Sequence, residues 1–452
     1  MVTNDMFNDL SLHLKNKGKV LSLYHGTGKV TFDKVYESKF VIIQIASGDI
    51  YASLNIDCPA LFISADTRSN LKFSGVTSDK TKIQFEGIVS NISGNSSTEL
   101  IFNVQEASIG SKSTSKLFNL QFQIANLIFP VQNHENLSFC LDGFDFIFRK
   151  LDDYESTVSN LKSKKGIDVT CILEIKNVKL INVKSILEAV SNICALMTFA
   201  QGCSVNWISY HFVKMDTSIY SYHKSAIIKN YNTLPSIDSD ELECFISSTI
   251  ERFSFQNITL ELNKFINEVV DAKMQQDYFE FRALKLVIAL EHLKSNFSRH
   301  NNTEYITPYD QKTFSKKIYH CLPEIESSLQ SEFGDLDHKQ IKIMAHNLLG
   351  SNRNTFAEIL FALLDTFHIV IDVDKVNTFI RIRNSIVHKV EFIKNKDSAW
   401  DQYSFLMSFI DMLILGILDY HGCYLDWSKL VESKGISENM KTKVDFNNEK
   451  GK

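Results

Sequence analysis

Two charged residues sit where apolar ones belong. From Asp372 to Phe392 the chain reads DVDKVNTFIRIRNSIVHKVEF. At roughly 100° per residue, Val376, Phe379, Ile380, Val387 and Val390 form one apolar stripe of a helix, and Arg383 lies in the middle of it. An unpaired guanidinium on a packed face is costly, so Arg383 needs a carboxylate, a second chain or a ligand phosphate. Upstream, Asp277 to Phe297 reads DYFEFRALKLVIALEHLKSNF, with Phe281, Leu284, Val287 and Ile288 as its stripe and Glu291 inside it. A Glu291–Arg383 contact resolves both charges. His388 lies roughly 140° round the helix from Arg383, with Asn384 and Arg381 nearer to it. From one straight helix, Arg383 and His388 therefore do not aim at one small group. A kink would bring them together, and so would two copies facing each other across a dimer axis.

The surroundings are basic. Between Lys375 and Lys396 stand Lys375, Arg381, Arg383, Lys389, Lys394 and Lys396 against Glu391, a local balance of +5 in a chain whose net charge is −5. Such a patch attracts a polyanion. Two plainer readings stand beside this one: Glu291–Arg383 as a structural ion pair, and lysines that complement the negative end of a helix dipole. The acidic total excludes a basic nucleic-acid coat, so any phosphate site is local.

The elements that must position these residues fall into two unlike halves. With 452 residues the chain is long enough for two or three domains at roughly 150 each. From about Lys19 to Tyr222, short runs rich in Phe, Ile, Val and Leu are broken by Ser, Gly, Asn and Asp, which predicts strands of a sandwich or open barrel. Lys184–Ala200 has helical spacing and is expected to pack on that sheet. Gly26-Thr27-Gly28 is too little for a phosphate loop. Asn230–Asp240, with Pro235 among Asn, Ser and Asp, reads as a linker. Beyond it the period is helical, with helices expected at Glu241–Phe255, Leu260–Lys273, Asp277–Asn296, Tyr309–Gln330, Lys339–Leu349, Asn354–Phe367, Asp374–Phe392 and Ser398–Tyr420. The expected division is therefore a β-rich domain over 1–229, a linker over 230–240, an all-helical domain over 241–430 and a polar tail over 431–452.

Nothing points to a membrane or an oxidising compartment. Met1–Val20 lacks the apolar run of a secretory leader. Phe405–Leu418 falls short of the ~20 residues that span a bilayer and contains Asp411, so it reads as a buried helix. The eight cysteines form no C-x-x-C, and no second pair accompanies His421 and Cys423. Reduced thiols in a cytoplasm and no metal follow.

Arg383-Asn384-Ser385-Ile386-Val387-His388 matches the R-x4-H motif of HEPN-domain ribonucleases, including the polar residue after the Arg. An earlier Ala289-Leu290-Glu291 helix and a long apolar helix afterwards fit the same domain, with a core at about 276–429. A large β-rich half ahead of it resembles the ApeA family of anti-phage abortive-infection proteins. The resemblance implies an α+β chain whose helical half is a HEPN-type, metal-independent endoribonuclease with no cofactor. It implies RNA as the substrate, tRNA among the candidates, a homodimer through the helical domain, a phage protein as the trigger and no membrane. His388 would be the acid/base, since an imidazole titrates near neutral pH. Arg383 would stabilise charge on the phosphoryl oxygens. Asn384 and Glu291 would support them, and Arg381 and Lys389 would contact RNA. A non-catalytic HEPN interaction or nucleotide-binding module is the alternative. A carbohydrate-binding β-sandwich on a helical scaffold has only aromatic content behind it.

Overall fold

The computed structural model describes residues 19–31, 35–57, 71–93, 97–111, 117–130, 136–164, 166–214, 217–225, 234–274, 277–394, 398–429 and 441–443. The readings placed on Met1–Gly18, on Lys396 and on most of the tail lie outside the described residues. The chain is mixed α+β. Its described residues cluster into two compact units. Of these, one holds the chain up to Ile250, Lys273 and Met274, and Cys423–Leu425; the other holds Glu251–Ala272, the chain from Asp277 to Gly422, and the described residues from Asp426 on.

The first unit is built on strands β1 (Val20–Thr31), β2 (Val35–Ile45), β3 (Ile50–Ile56), β4 (Leu71–Thr77), β5 (Lys82–Ser93) and β6 (Thr98–Gly110). They run in the order β3-β2-β1-β4-β5-β6, all antiparallel, and β3 pairs again with β6. The sequence left a sandwich and an open barrel as expectations; these six strands close. Closure depends on the length of β6. On one edge it pairs with β5. On the other, Thr98–Val104 pair with β3 while Glu106–Gly110 pair with strand β12 (Thr217–Lys224). Register shifts at Glu86/Gly87 and Val89/Asn91 add the local twist that bends such long strands.

Alternate residues fill the barrel: Phe40, Ile42, Leu54, Phe73, Phe85, Leu100 and Phe102 are all buried in one cluster. Phe73 stacks on Phe85 at 4.5 Å and meets Phe40 edge-on at 5.1 Å. Gly28 faces Gly75 across β1 and β4. A Cβ on Gly28 would come within 2.2 Å of the Phe73 ring, so the glycine there serves a close strand crossing.

Beyond β12 the sheet continues as β11 (Asn206–Lys214), β7 (Phe118–Ala125), β10 (Val169–Val178), β9 (Phe144–Lys150) and β8 (Asn136–Leu141). Helix α1 (Tyr154–Lys164) and helix α2 (Val183–Gln201) accompany it. Within the described residues, the stretch Leu180–Gln201 is the one long and apolar enough to cross a membrane. Here it packs on β11, where Trp207 Nε1 donates to Ser191 Oγ at 3.1 Å. The segment read as a linker is packed over its described part. Leu234, Ser236 and Ile237 are buried, and the N–H groups of Ser236 and Ile237 donate to Ala200 O at the end of α2. Those bonds satisfy a helix carbonyl that has no partner inside the helix.

A polar plug joins barrel strand β2 to β11 and β12. Buried Gln44 donates to Ile208 O and Lys224 O and accepts from His223 Nδ1 at 2.6 Å. His223 Nε2 is buried and has no partner among the described residues. Burial, with His211 adding to it, pushes the His223 imidazole down to about 3.

Helix α3 (Leu242–Leu260), whose residues from Glu251 on belong to the second unit, leads to α4 (Leu262–Ala272), α5 (Phe279–Asn301), α6 (Gln311–Tyr319), α7 (Leu322–Glu332), α8 (His338–Asn347), α9 (Phe356–Thr366), α10 (Val373–Lys389) and α11 (Ala399–Ile417). The single helix expected over Tyr309–Gln330 is two. Pro323 stands in the first turn of α7, where its missing N–H is tolerated, and it could not lie inside a continuous helix. Helix α5 is the hub, touching α4, α9, α10 and α11. Helix α11 is buried along nearly its whole length, Asp411 included, as expected for Phe405–Leu418.

The His223 geometry makes the first unit acid-sensitive. Its folded value lies below that of the unfolded chain, so the unfolded chain takes up the proton first. Stability falls as pH drops below about 6.5, by about 1.4 kcal/mol per unit. Thermal melts between pH 7 and pH 5 should show a steeper loss for the native chain than for His223→Gln, and equal slopes would refute it.

Candidate active site

Helix α10 opens on Asp372, whose carboxylate accepts from the Asp374 N–H at 2.7 Å. Its buried face is Val376, Phe379, Ile382 and Ile386. This corrects the expected stripe: Ile380 is only partly covered, and Val387 and Val390 are exposed. Phe379 stacks on Phe409 of α11 at 4.1 Å, which sets the rotation of α10. Arg383 lies on the border of the face so defined, and its side chain is only 14% exposed.

The partner anticipated from sequence is present. Arg383 Nη2 donates to Glu291 Oε1 on α5, and Arg383 Nη1 donates to Asn384 Oδ1 at 2.8 Å. Two further residues complete the cluster. The guanidinium carbon lies 4.5 Å from the centroid of the Phe356 ring, at the start of α9. Lys294 Nζ sits 2.6 Å from Glu291 Oε2 and 5.6 Å from the same ring. Glu291 thus serves two cations, and both lie against one aromatic ring. Arg383 Nε is buried without a hydrogen-bond partner among the described residues. Burial opposes ionisation of Glu291, but the hydrogen bonds and charges of Lys294 and Arg383 outweigh it and hold the carboxyl below its ordinary 4.5.

Lys294 was legible, since it stands three residues after Glu291 on the same helix face. Phe356 was not. It arrives from a helix more than sixty positions away, and no spacing rule links the two. On α5 the apolar reading also needs correction. Val287 is buried, but Phe281 and Ile288 are 53% and 46% exposed. The buried face is instead Ala283, Leu286, Val287, Leu290, Leu293 and Phe297.

His388 stands apart from this cluster. It occupies the last turn of α10, exposed, with no hydrogen bond to any described residue. One chain brings together Arg383, Asn384 and Glu291; it does not bring His388 to them. The turn after His388 is tightly specified. Val390 adopts φ 54°, a left-handed conformation that costs an L residue about 1–2 kcal/mol. Its N–H donates to Ile386 O at 2.9 Å, and Ser385 Oγ donates to Glu391 O at 2.7 Å. Buried Gln402 then clamps the Ile393 backbone, accepting from its N–H at 3.0 Å and donating to its carbonyl at 3.1 Å. Arg381 is exposed and donates to Thr378 Oγ1, and Lys389 is exposed beside His388. Among the described residues no three His, Cys, Asp or Glu side chains are grouped to hold a metal ion.

Comparison with family models, with curated proteins and with solved structures finds no match for this chain.

Glu291 sets a pH-dependent share of stability. Its folded value is depressed, so its contribution is present above the ordinary carboxyl range and is lost as pH falls through the folded value. Glu291→Ala should lower stability at pH 7 by about 1.5–3 kcal/mol, the scale of hydrogen bonds to charged groups. Chemical denaturation at pH 7 and pH 3.5 should show that difference shrinking on acidification. A constant difference would contradict the pairing.

Proposed function

We propose that the chain is a metal-independent endoribonuclease of the HEPN type, acting in ApeA-like abortive-infection defence. One observation carries the reading. The R-x4-H helix holds its Arg in a built cluster of Glu291, Lys294 and Phe356, while its His is left exposed and unengaged at a rigid turn. A pair that served the fold alone would account for Arg383 but would leave the strained, clamped turn beside His388 without a purpose.

In this reading an RNA 2′-OH attacks the adjacent phosphorus and the 5′-oxygen departs. The products are a 2′,3′-cyclic phosphate and a 5′-OH. His388 takes or returns the proton. Arg383 offers its donors to the non-bridging oxygens as charge builds, and Glu291 with Lys294 orients it. Because one chain holds Arg383 and His388 apart, two copies would complete the centre. Exposed apolar residues, Phe281 and Ile288 on α5 and Val387 and Val390 beside His388, are the ones such a pairing would cover. The β-barrel unit would read the trigger, a phage protein, and the cleaved RNA would be cellular, tRNA among the candidates, in a cytoplasmic setting.

A second reading has its own observation. Both Nη groups of Arg383 are engaged within the chain, by Glu291 and by Asn384. That favours a non-catalytic HEPN module in which the cluster is structural.

Cleavage assays separate the two. The native chain should cut RNA in EDTA, and His388→Ala should cut at least a hundredfold more slowly, within the 10²–10⁴-fold range of acid–base assistance. The melting temperature of His388→Ala should be unchanged, because the side chain is exposed. Full cleavage by His388→Ala, or activity that requires added magnesium, would overturn the assignment.

A further inference from the structure

Between α5 and α9 the chain makes an excursion of three helices, α6, α7 and α8. Its neck is closed by a bridge between Tyr305 and Arg353. Buried Asn352 accepts from the Thr307 N–H and hydroxyl at 3.0 and 2.8 Å and donates to Tyr309 O at 2.7 Å. Asn354 donates to Thr303 O at 2.8 Å. That neck ends two residues before Phe356, the ring over which Arg383 sits. The excursion is therefore rooted beside the candidate active site.

Its own core is small; Leu322, Ile341 and Ala345 are the buried apolar residues on its helices. Its outer surface departs from an acidic chain. From Gln311 to His320 there is no Asp or Glu, and Lys312, Lys316, Lys317, Tyr319 and His320 are all exposed. At roughly 100° per residue they occupy one broad face of α6. Lys317 Nζ lies 4.6 Å from the centroid of the Tyr309 ring, and Tyr319 is 62% exposed. Helix α8 repeats the pattern, with Lys339, Lys342 and His346 exposed and no acid from His338 to Asn347. Ser315 Oγ and Gln311 Nε2 of α6 donate to Leu349 O, just past the end of α8, and so tie the two helices together. The acids of the excursion are Glu324, Glu326 and Glu332 on α7, Asp335 after it, and Asp310 and Asp337 at the N-terminal caps of α6 and α8, so the basic character belongs to the bodies of α6 and α8 beyond their caps.

We propose that α6 and α8 form a docking surface for single-stranded RNA, which delivers the strand to the R-x4-H helix. Lysines in this arrangement meet phosphates, and exposed tyrosines beside them offer faces on which bases stack. Lysines that merely solubilise a helix do not need flanking aromatics held in the open. The inference deepens the nuclease reading and rests on it for its purpose, not for the binding itself.

The test uses the full chain carrying His388→Ala, so that bound RNA persists, and a short fluorescein-labelled single-stranded RNA read by anisotropy at several salt concentrations. Adding Lys312→Gln, Lys316→Gln and Lys317→Gln should weaken binding at least tenfold. It should also flatten the slope of log affinity against log salt by about 2, at ~0.7 per phosphate contact on a single strand. Tyr319→Ala should weaken binding about tenfold with the slope unchanged. All four side chains are exposed, and unchanged melting temperatures verify that the variants fold. If affinity and slope are the same in the triple-lysine variant, the surface is overturned, and cleavage by the native chain would still stand on His388. If the native chain binds the probe through α6 yet never cuts RNA, the nuclease reading fails and this surface stands.

Discussion

A guanidinium at the edge of a packed helix face must be neutralised where it lies, and that requirement organises the helical unit. Arg383 stands on the border of the face that Phe379 anchors against Phe409, and its counter-charge comes from α5. Glu291 supplies it, and Lys294 balances the second carboxylate oxygen. Phe356 closes the cluster from α9. Three helices, α5, α9 and α10, are thereby tied by one ion cluster, and α5 packs on α4 and α11 as well. Partial exposure of Glu291 keeps the cluster from being an entirely dry ion pair, whose desolvation cost can exceed its attraction.

The helical half was largely legible because its periods are strong and local. Arg383 and Glu291 were visible as charges breaking apolar stripes, and their contact follows from the cost of leaving either alone. The rotation of the stripes was less legible. Val387 and Val390 fit a helical wheel with the predicted stripe, yet Val387 in the last turn of α10 and Val390 just past its end at Lys389 both lie open. Phe281 and Ile288 fit the wheel of α5 and are also open, because neighbouring helices cover a different sector. Wheels count residues; they do not know which sides have neighbours. The break at Pro323 was readable from the proline alone and was overrun by the surrounding periodicity.

In the β half, strand existence was legible and closure was not. The pairing of β3 with β6 joins positions some fifty residues apart and leaves no local mark. The polar plug of Gln44 and His223 is equally non-local. The packed part of the supposed linker shows another limit. Pro, Ser and Asp mark an absence of regular structure, and irregular backbone can still be buried when it caps a helix end, as Ser236 and Ile237 do at Ala200.

What the geometry asks of a nuclease is unusual within one chain. Arg383 is turned toward the helical core and His388 away from it, so the proposed centre is complete only across two copies. Measuring RNA cleavage in size-separated fractions, with the mass of each fraction read by light scattering, addresses this directly. The account predicts that cutting coincides with the two-fold species and that isolated single chains are idle. Single chains that cut RNA at the rate of the paired species would contradict it.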